Sequence, residues 1–182
     1  MRQRTIAAAL AATLAAASAA EAQTQISTLM GGSGGTQTRV ECGEDRVLVG
    51  VTGRAGLWLD NLFLRCARVN GATLSDIVTL DNNVQRIGGL GGITRYTVQC
   101  PAGNVVKGVM VYQGTFINRI GLYCRGWDGT GWTGTGNLVG PAGGTGGSYD
   151  RRDCEERTRP VVALWGREGN YVDALGIVCR AP

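Results

Sequence analysis

The chain has 182 residues, 30 of them glycine and four proline, with 18 Lys+Arg against 14 Asp+Glu and a formal net charge of +4. That charge is too mild, and the arginines too scattered, for a nucleic-acid partner. The absence of histidine removes the commonest general base and metal ligand.

The first element is an export signal. Arg2 and Arg4 form a short positive segment, Ile6 to Ala20 is an uncharged Ala/Leu-rich run, and Ala20-Glu21-Ala22 has the small-x-small form of a cleavage site. Residues 1–22 are therefore expected to be removed near Ala22, leaving a secreted or periplasmic protein. The run is too short and alanine-rich for a comfortable bilayer span, and no later run is long enough, so membrane insertion is not expected. The mature chain, Gln23 to Pro182, would have about 160 residues and suits one domain with a sizeable core. Its many glycines and few prolines indicate tight turns rather than a disordered chain.

From there the chain repeats. A block Gly31-Gly32-Ser33-Gly34-Gly35 precedes Cys42, Gly88-Gly89-Leu90-Gly91-Gly92 precedes Cys100, and Gly143-Gly144-Thr145-Gly146-Gly147 precedes Cys154, at nearly one offset. Cys42 to Cys66 spans 24 positions, Cys100 to Cys124 spans 24, and Cys154 to Cys179 spans 25. Counting back from the second cysteine of each pair, Gly56, Gly114 and Gly169 coincide, as do Trp58, Phe116 and Tyr171, then Asp60, Asn118 and Asp173, then Leu62, Ile120 and Leu175. Such triplication predicts three units, about 31–87, 88–142 and 143–182, within one domain over 23–182.

Each unit reads as strands. Trp58, Asp60, Leu62, Leu64 and Cys66 alternate with Leu57, Leu59, Asn61, Phe63 and Arg65, a period near two. Val47 to Val51 and Val161 to Leu164 are β-branched-rich runs expected to end at the Gly-Arg pairs Gly53-Arg54 and Gly166-Arg167. Four strands per unit are expected: one around the glycine block, two flanking the Gly56-type turn, and one after the second cysteine. In the first copy that last strand takes in Arg68 to Leu74 or Asp76 to Leu80. No segment after residue 22 sustains a helical period, so the fold class is all-β.

Six cysteines in an exported chain indicate three disulfides and alone admit fifteen pairings. The repeat points to one bond within each copy: Cys42–Cys66, Cys100–Cys124 and Cys154–Cys179. Closing a loop of about 25 residues stabilises by about 3 kcal/mol in the chain-entropy treatment.

The segments Gly56-Leu57-Trp58-Leu59-Asp60 and Gly169-Asn170-Tyr171-Val172-Asp173 resemble the Gly-x-x-x-Asp sugar-binding loop of the jacalin-related lectins, and the GGxGG blocks resemble that family's glycine-rich loop. The plan of block and cysteine pair, three times over, is also similar to the vitelline-membrane outer-layer proteins. The resemblance covers essentially the whole mature chain. It implies a β-prism I of three Greek-key, four-stranded sheets with pseudo-threefold symmetry; the domain is expected to be monomeric or weakly oligomeric. It also implies that the first and last strands share a sheet. Three pseudo-equivalent sites would follow: Gly31 and Gly32 with Gly169, Asn170, Tyr171 and Asp173; Gly88 and Gly89 with Gly56, Leu57, Trp58 and Asp60; and the block at 143 with Gly114 and Asn118.

Such a site suits a hexose. A carboxylate accepts two hydroxyls in charge-assisted bonds, and glycine lets the sugar approach the backbone closely. Asn118 lacks the charge, so its site is expected to be weak or silent. The aromatics share parity with aliphatics, which points to burial rather than stacking on a sugar. Arg54 and Arg167 are expected as solvated turn residues, with contact to acidic groups on a ligand as the alternative. The implied function is a non-enzymatic, carbohydrate-binding (lectin-like) module for glycans, with mannose- and galactose-type hexoses within its range. The alternative is a structural envelope or extracellular-layer protein that binds no sugar, in which the aspartates bond their own turns and the glycines serve bends. A glycan-active hydrolase is the lesser alternative.

Enzyme chemistry fares badly. Gly31-x-Ser33-x-Gly35 matches a nucleophile elbow, but no histidine is present to serve it, and the other blocks carry Leu90 and Thr145 there. Glu155 and Glu156 are adjacent, so on a strand they point to opposite faces and could not flank one glycosidic bond. No cofactor or metal is implied, since Asp81, Asp150 and Asp153 form no calcium-loop pattern.

Overall fold

A computed structural model describes residues 24–81, 85–155 and 159–180. The export signal over 1–22 and Glu156 lie outside the described residues. In chain order the strands are β1 (Gln25–Ile26), β2 (Met30–Gly31), β3 (Thr36–Glu41), β4 (Arg46–Ala55), β5 (Leu59–Asn70), β6 (Thr73–Thr79) and β7 (Ile87–Gly88). They continue with β8 (Thr94–Gln99), β9 (Asn104–Gln113), β10 (Ile117–Trp127), β11 (Trp132–Gly143), β12 (Ser148–Asp153), β13 (Val161–Glu168) and β14 (Val172–Cys179). Helix is absent among the described residues.

Three antiparallel sheets result, each built on a long hairpin. Their strand orders are β1-β14-β13-β3 with β2 beside β14, β6-β5-β4-β8 with β7 beside β5, and β11-β10-β9-β12. The first sheet joins the two ends of the chain and so closes the prism. The inward residues of all three form one core, which includes Leu48, Leu62, Leu64, Val109, Ile120, Leu122, Leu164, Leu175 and Ile177, all fully buried. No single sheet could bury that much apolar surface; three sharing an axis can.

Three local expectations need correction. Each glycine block separates two strands instead of lying in one, with β2 before and β3 after the first block, and β7 and β8 around the second. The runs from Val47 and Val161 pass through Gly53-Arg54 and Gly166-Arg167 without turning. There a Cβ would collide with the carbonyls of Asn61 and Ala174 on the neighbouring strand, so glycine serves close approach within a strand. After Cys66, β5 runs on to Asn70 and reverses at Gly71, whose φ of 59° suits glycine, so the outer strand is Thr73–Thr79.

The sequence unit and the sheet are offset by one strand, because the strand after each block joins the hairpin of the preceding copy. The disulfides take their spatial meaning from that offset. Cys42–Cys66, Cys100–Cys124 and Cys154–Cys179 are all formed, with Cα–Cα separations of 5.5, 5.5 and 5.7 Å. Cys42 continues β3 of the first sheet through its N–H to the Val162 carbonyl, while Cys66 lies in β5 of the second. Cys100 likewise joins the second sheet to Cys124 in the third, and Cys154 the third sheet to Cys179 in the first. Each bond lies within a copy along the chain and between sheets in space, so the three form a cyclic staple. Replacing Cys100 and Cys124 together by alanine should lower unfolding free energy by about 3 kcal/mol. Urea denaturation checks this, and an unchanged midpoint would show that the core alone holds that seam.

Candidate functional site

At one end of the prism the three hairpin turns converge. Each is closed by the same bond, from the N–H of the leading glycine to the carbonyl two residues on: Gly56 to Trp58 at 2.9 Å, Gly114 to Phe116 at 3.0 Å and Gly169 to Tyr171 at 3.1 Å. The aromatics project to the axis, where their rings meet pairwise with centroids 5.0–5.1 Å apart. All three are half-buried. They cap the core by edge and tilted contacts with one another, so burial, expected from parity, is partial.

Each glycine block folds back over one turn, and the pairing is the same in all copies. The N–H of the second glycine donates to the main-chain carbonyl of the acid-position residue: Gly32 to Asp173 at 2.9 Å, Gly89 to Asp60 at 2.8 Å and Gly144 to Asn118 at 2.8 Å. The first and fifth glycines adopt positive φ, 118° and 69° at Gly31 and Gly35, 102° and 92° at Gly88 and Gly92, 121° and 82° at Gly143 and Gly147. The side chain beneath takes the space a Cβ would need. A Cβ on Gly91 or Gly92 would stand 2.8 Å from an Asp60 carboxylate oxygen, and on Gly34 or Gly35 2.6 or 2.8 Å from one of Asp173.

The second glycine has another neighbour. A Cβ on Gly32 would strike the carbonyl of Thr115, on Gly89 that of Asn170 at 2.5 Å, and on Gly144 that of Leu57. Each block is thus wedged between its own turn and the turn of another sheet, and the three interlock around the axis. Gly88 adds a link by donating its N–H to a Glu168 carboxylate oxygen of the first sheet at 2.6 Å.

Three different side chains hold the three blocks. Arg167, expected to be solvated, donates Nε to Gly34 O at 2.6 Å and Nη2 to Gly35 O at 2.8 Å. Asn61 donates Nδ2 to Gly89 O and Gly91 O at 3.0 and 3.2 Å. Asn118 donates Nδ2 to Thr145 O at 2.8 Å and to Leu57 O at 3.4 Å. Sequence reading missed Asn61, whose position after Asp60 is filled by Arg119 and Ala174 in the other copies, so no repetition marked it.

The two carboxylates differ from the amide in what they cost. Asp60 and Asp173 are 8% and 5% exposed. Burial raises the pKa of Asp60, partly offset by the N–H groups of Gly56 and of Asp60 itself, and burial raises that of Asp173, partly offset by Arg167. Oδ2 of Asp173 has no hydrogen-bond partner among the described residues. Below Asp60, the buried Tyr96 hydroxyl donates to Asn61 O at 3.0 Å, and burial together with the Asp60 charge drives its pKa upward.

Beside Asp60 lies a cleft of about 400 Å³ lined by Gly56, Leu57, Trp58, Gly92, Ile93 and Tyr171 among others. Tyr171 belongs to the Asp173 turn along the chain but forms a wall of the Asp60 cleft. Leu57 and Ile93, 65% and 97% exposed, form an apolar rim. Gly169 and Asn170 are exposed at the Asp173 corner, with Gly31 and Gly32 folded under it, and Gly114 is exposed at the Asn118 corner. A carboxylate, exposed turn backbone and aromatic walls suit a polyhydroxylated ligand with apolar C–H faces.

No protein-family model matches the chain, and no curated protein matches it. Solved structures do. Wild-type Malaysian banana lectin superposes with a TM-score of 0.58 at 19% identity, covering 88% of this chain and 99% of that one. A mannose-binding jacalin-related lectin from Ananas comosus gives 0.58 at 20% identity, covering 87% and 99%. Artocarpin in complex with mannotriose gives 0.59 at 17%, covering 86% and 97%. The fold is the jacalin-type β-prism, as the sequence resemblance implied.

Proposed function

We propose that this chain, a β-prism of the kind those lectins share, binds glycans without altering them, using the Asp60 cleft and the Asp173 corner. The supporting observation is the contrast among the three copies. If the acid position served only to hold the glycine block and its neighbouring turn, an amide would do it better, as Asn118 does by donating to Thr145 O of its block and to Leu57 O of the adjoining turn. Asp60 and Asp173 instead carry buried carboxylates whose charge the surroundings disfavour, a pattern that clusters at functional sites. The mannose-binding pineapple lectin and mannotriose-bound artocarpin make hexoses of mannose or galactose type the first ligands to try. In this reading the protein is exported, cleaved near Ala22, and works in an oxidising compartment where its three buried disulfides persist.

The test is a glycan array probed with oxidised protein, residues 23–182. Saturable binding that Asp60→Ala with Asp173→Ala reduces at least about tenfold is the expected result. A blank array from folded protein would favour a structural layer protein, in which the interlocked blocks serve the fold alone. Release of shortened sugars from a bound oligosaccharide would instead indicate a hydrolase.

A further inference from the structure

Behind the second glycine block, on the outer face of the second sheet, lies another cleft of about 350 Å³, lined by Arg54, Arg86, Arg95, Asp81 and Leu90 among others. Arg54 and Arg95 stand directly opposite each other on β4 and β8. Like charges in direct cross-strand register repel. Neither meets a carboxylate among the described residues; Arg54 has a long bond of 3.4 Å to Gly92 O. Arg86 donates Nε to Gly88 O at 2.9 Å and so presents its charge along the same block. Among the described lining residues Asp81 is the one carboxylate, and it stands beside the Arg54–Arg95 pair and Arg86.

The arrangement is peculiar to this sheet. The equivalent cross-strand pair is Tyr149 with Tyr112 in the third sheet and Gln37 with Arg167 in the first, where Arg167 is occupied with the block carbonyls. The clefts meet at the end of the sheet through Gly92, which lines the Asp60 cleft and whose carbonyl is reached at 3.4 Å by Arg54 of this one.

We infer that the Arg54–Arg95 cleft is an anion subsite, and that the preferred ligand is an acidic oligosaccharide whose carboxylate or sulfate sits there while a neighbouring hexose occupies the Asp60 cleft. Guanidinium forks match both anions in charge-assisted, bidentate geometry. An anion between the two arginines also relieves their repulsion, which a neutral sugar cannot do. The second half of the inference rests on the proposed function of the Asp60 cleft; the anion subsite does not.

The probes are an oligogalacturonate, its carboxyl-reduced neutral counterpart, and a sulfated galactan oligosaccharide, each titrated calorimetrically. At low salt the two anionic probes should bind about tenfold or more tighter than the neutral one, and added salt should narrow the gap. Arg54→Gln with Arg95→Gln should abolish the difference, leaving neutral binding unchanged and the melting temperature no lower, since the cross-strand repulsion goes with the charges. Equal binding of charged and neutral probes, or an advantage that survives the double substitution, overturns the inference. If anionic binding needs the arginines but is indifferent to Asp60→Ala, the subsite stands and the sugar site at Asp60 falls. If neutral binding needs Asp60 while charge makes no difference, the reverse holds.

Discussion

Gly144→Ala is expected to destabilise the oxidised protein by about 3 kcal/mol or more, a drop in Tm of roughly 6–12 °C for a chain of this size. A Cβ there would overlap the carbonyl of Leu57 and stand 2.8 Å from Gly56 O. All of these are backbone atoms of another sheet's turn, and none can swing aside as a side chain would. The Leu57 carbonyl also accepts from Asn118, so a shift of that turn disturbs the clamp on the third block as well. Gly131→Ala is the control: its Cβ would meet nothing within 4 Å, and its effect should stay within about 0.5 kcal/mol. Thermal unfolding of both variants decides the matter. A Gly144→Ala protein melting with the parent would mean that the interlocked turns are loose and that the prism is held by its core and disulfides.

Exchanging Asp60 and Asp173 together for asparagine should have opposite effects on stability and binding. At neutral pH the variant should be more stable, by about 1 kcal/mol or more per site, while losing most of its glycan affinity. An amide can donate toward the block, as Asn118 does, and it removes a buried charge. The sign of the pH dependence follows from the raised pKa values. With the folded-state pKa above 3.8 for both groups, the native state holds more protons than the unfolded state just above pH 3.8. Stability contributed by the protonated carboxyls is therefore complete below 3.8 and lost as pH rises through the folded-state values. The advantage of the asparagine variant should accordingly shrink on acidification, and glycan binding that needs the ionised carboxylates should weaken over the same window. Urea denaturation at neutral and acidic pH, with binding measured alongside, tests both. A variant less stable than the parent at neutral pH would show that the carboxylates hold the turns, and the case for them as ligand-binding groups would collapse.

What the amino-acid order determined by itself was whatever recurs at short range. Period-two alternation, the Gly56-type turns, the GGxGG blocks and the cysteine spacings all appear three times, so chance is averaged out and each copy reports on the others. The all-β class and the cysteine pairing were legible on that basis, and the prism through the resemblance those repeats carry. Tertiary structure alone decided what happens when three sheets close around one axis. The one-strand offset that turns intra-repeat disulfides into inter-sheet staples is a long-range fact. So are the meeting of Trp58, Phe116 and Tyr171, and the wedging of Gly32, Gly89 and Gly144 against foreign turns. The clamps lay hidden for a related reason. Asn61, Arg167 and Asn118 do the same work from different positions in the repeat, and Arg54 meets Arg95 across strands 41 positions apart. Pairings of that kind are set by strand register and sheet closure, and neither leaves a periodic trace in the chain.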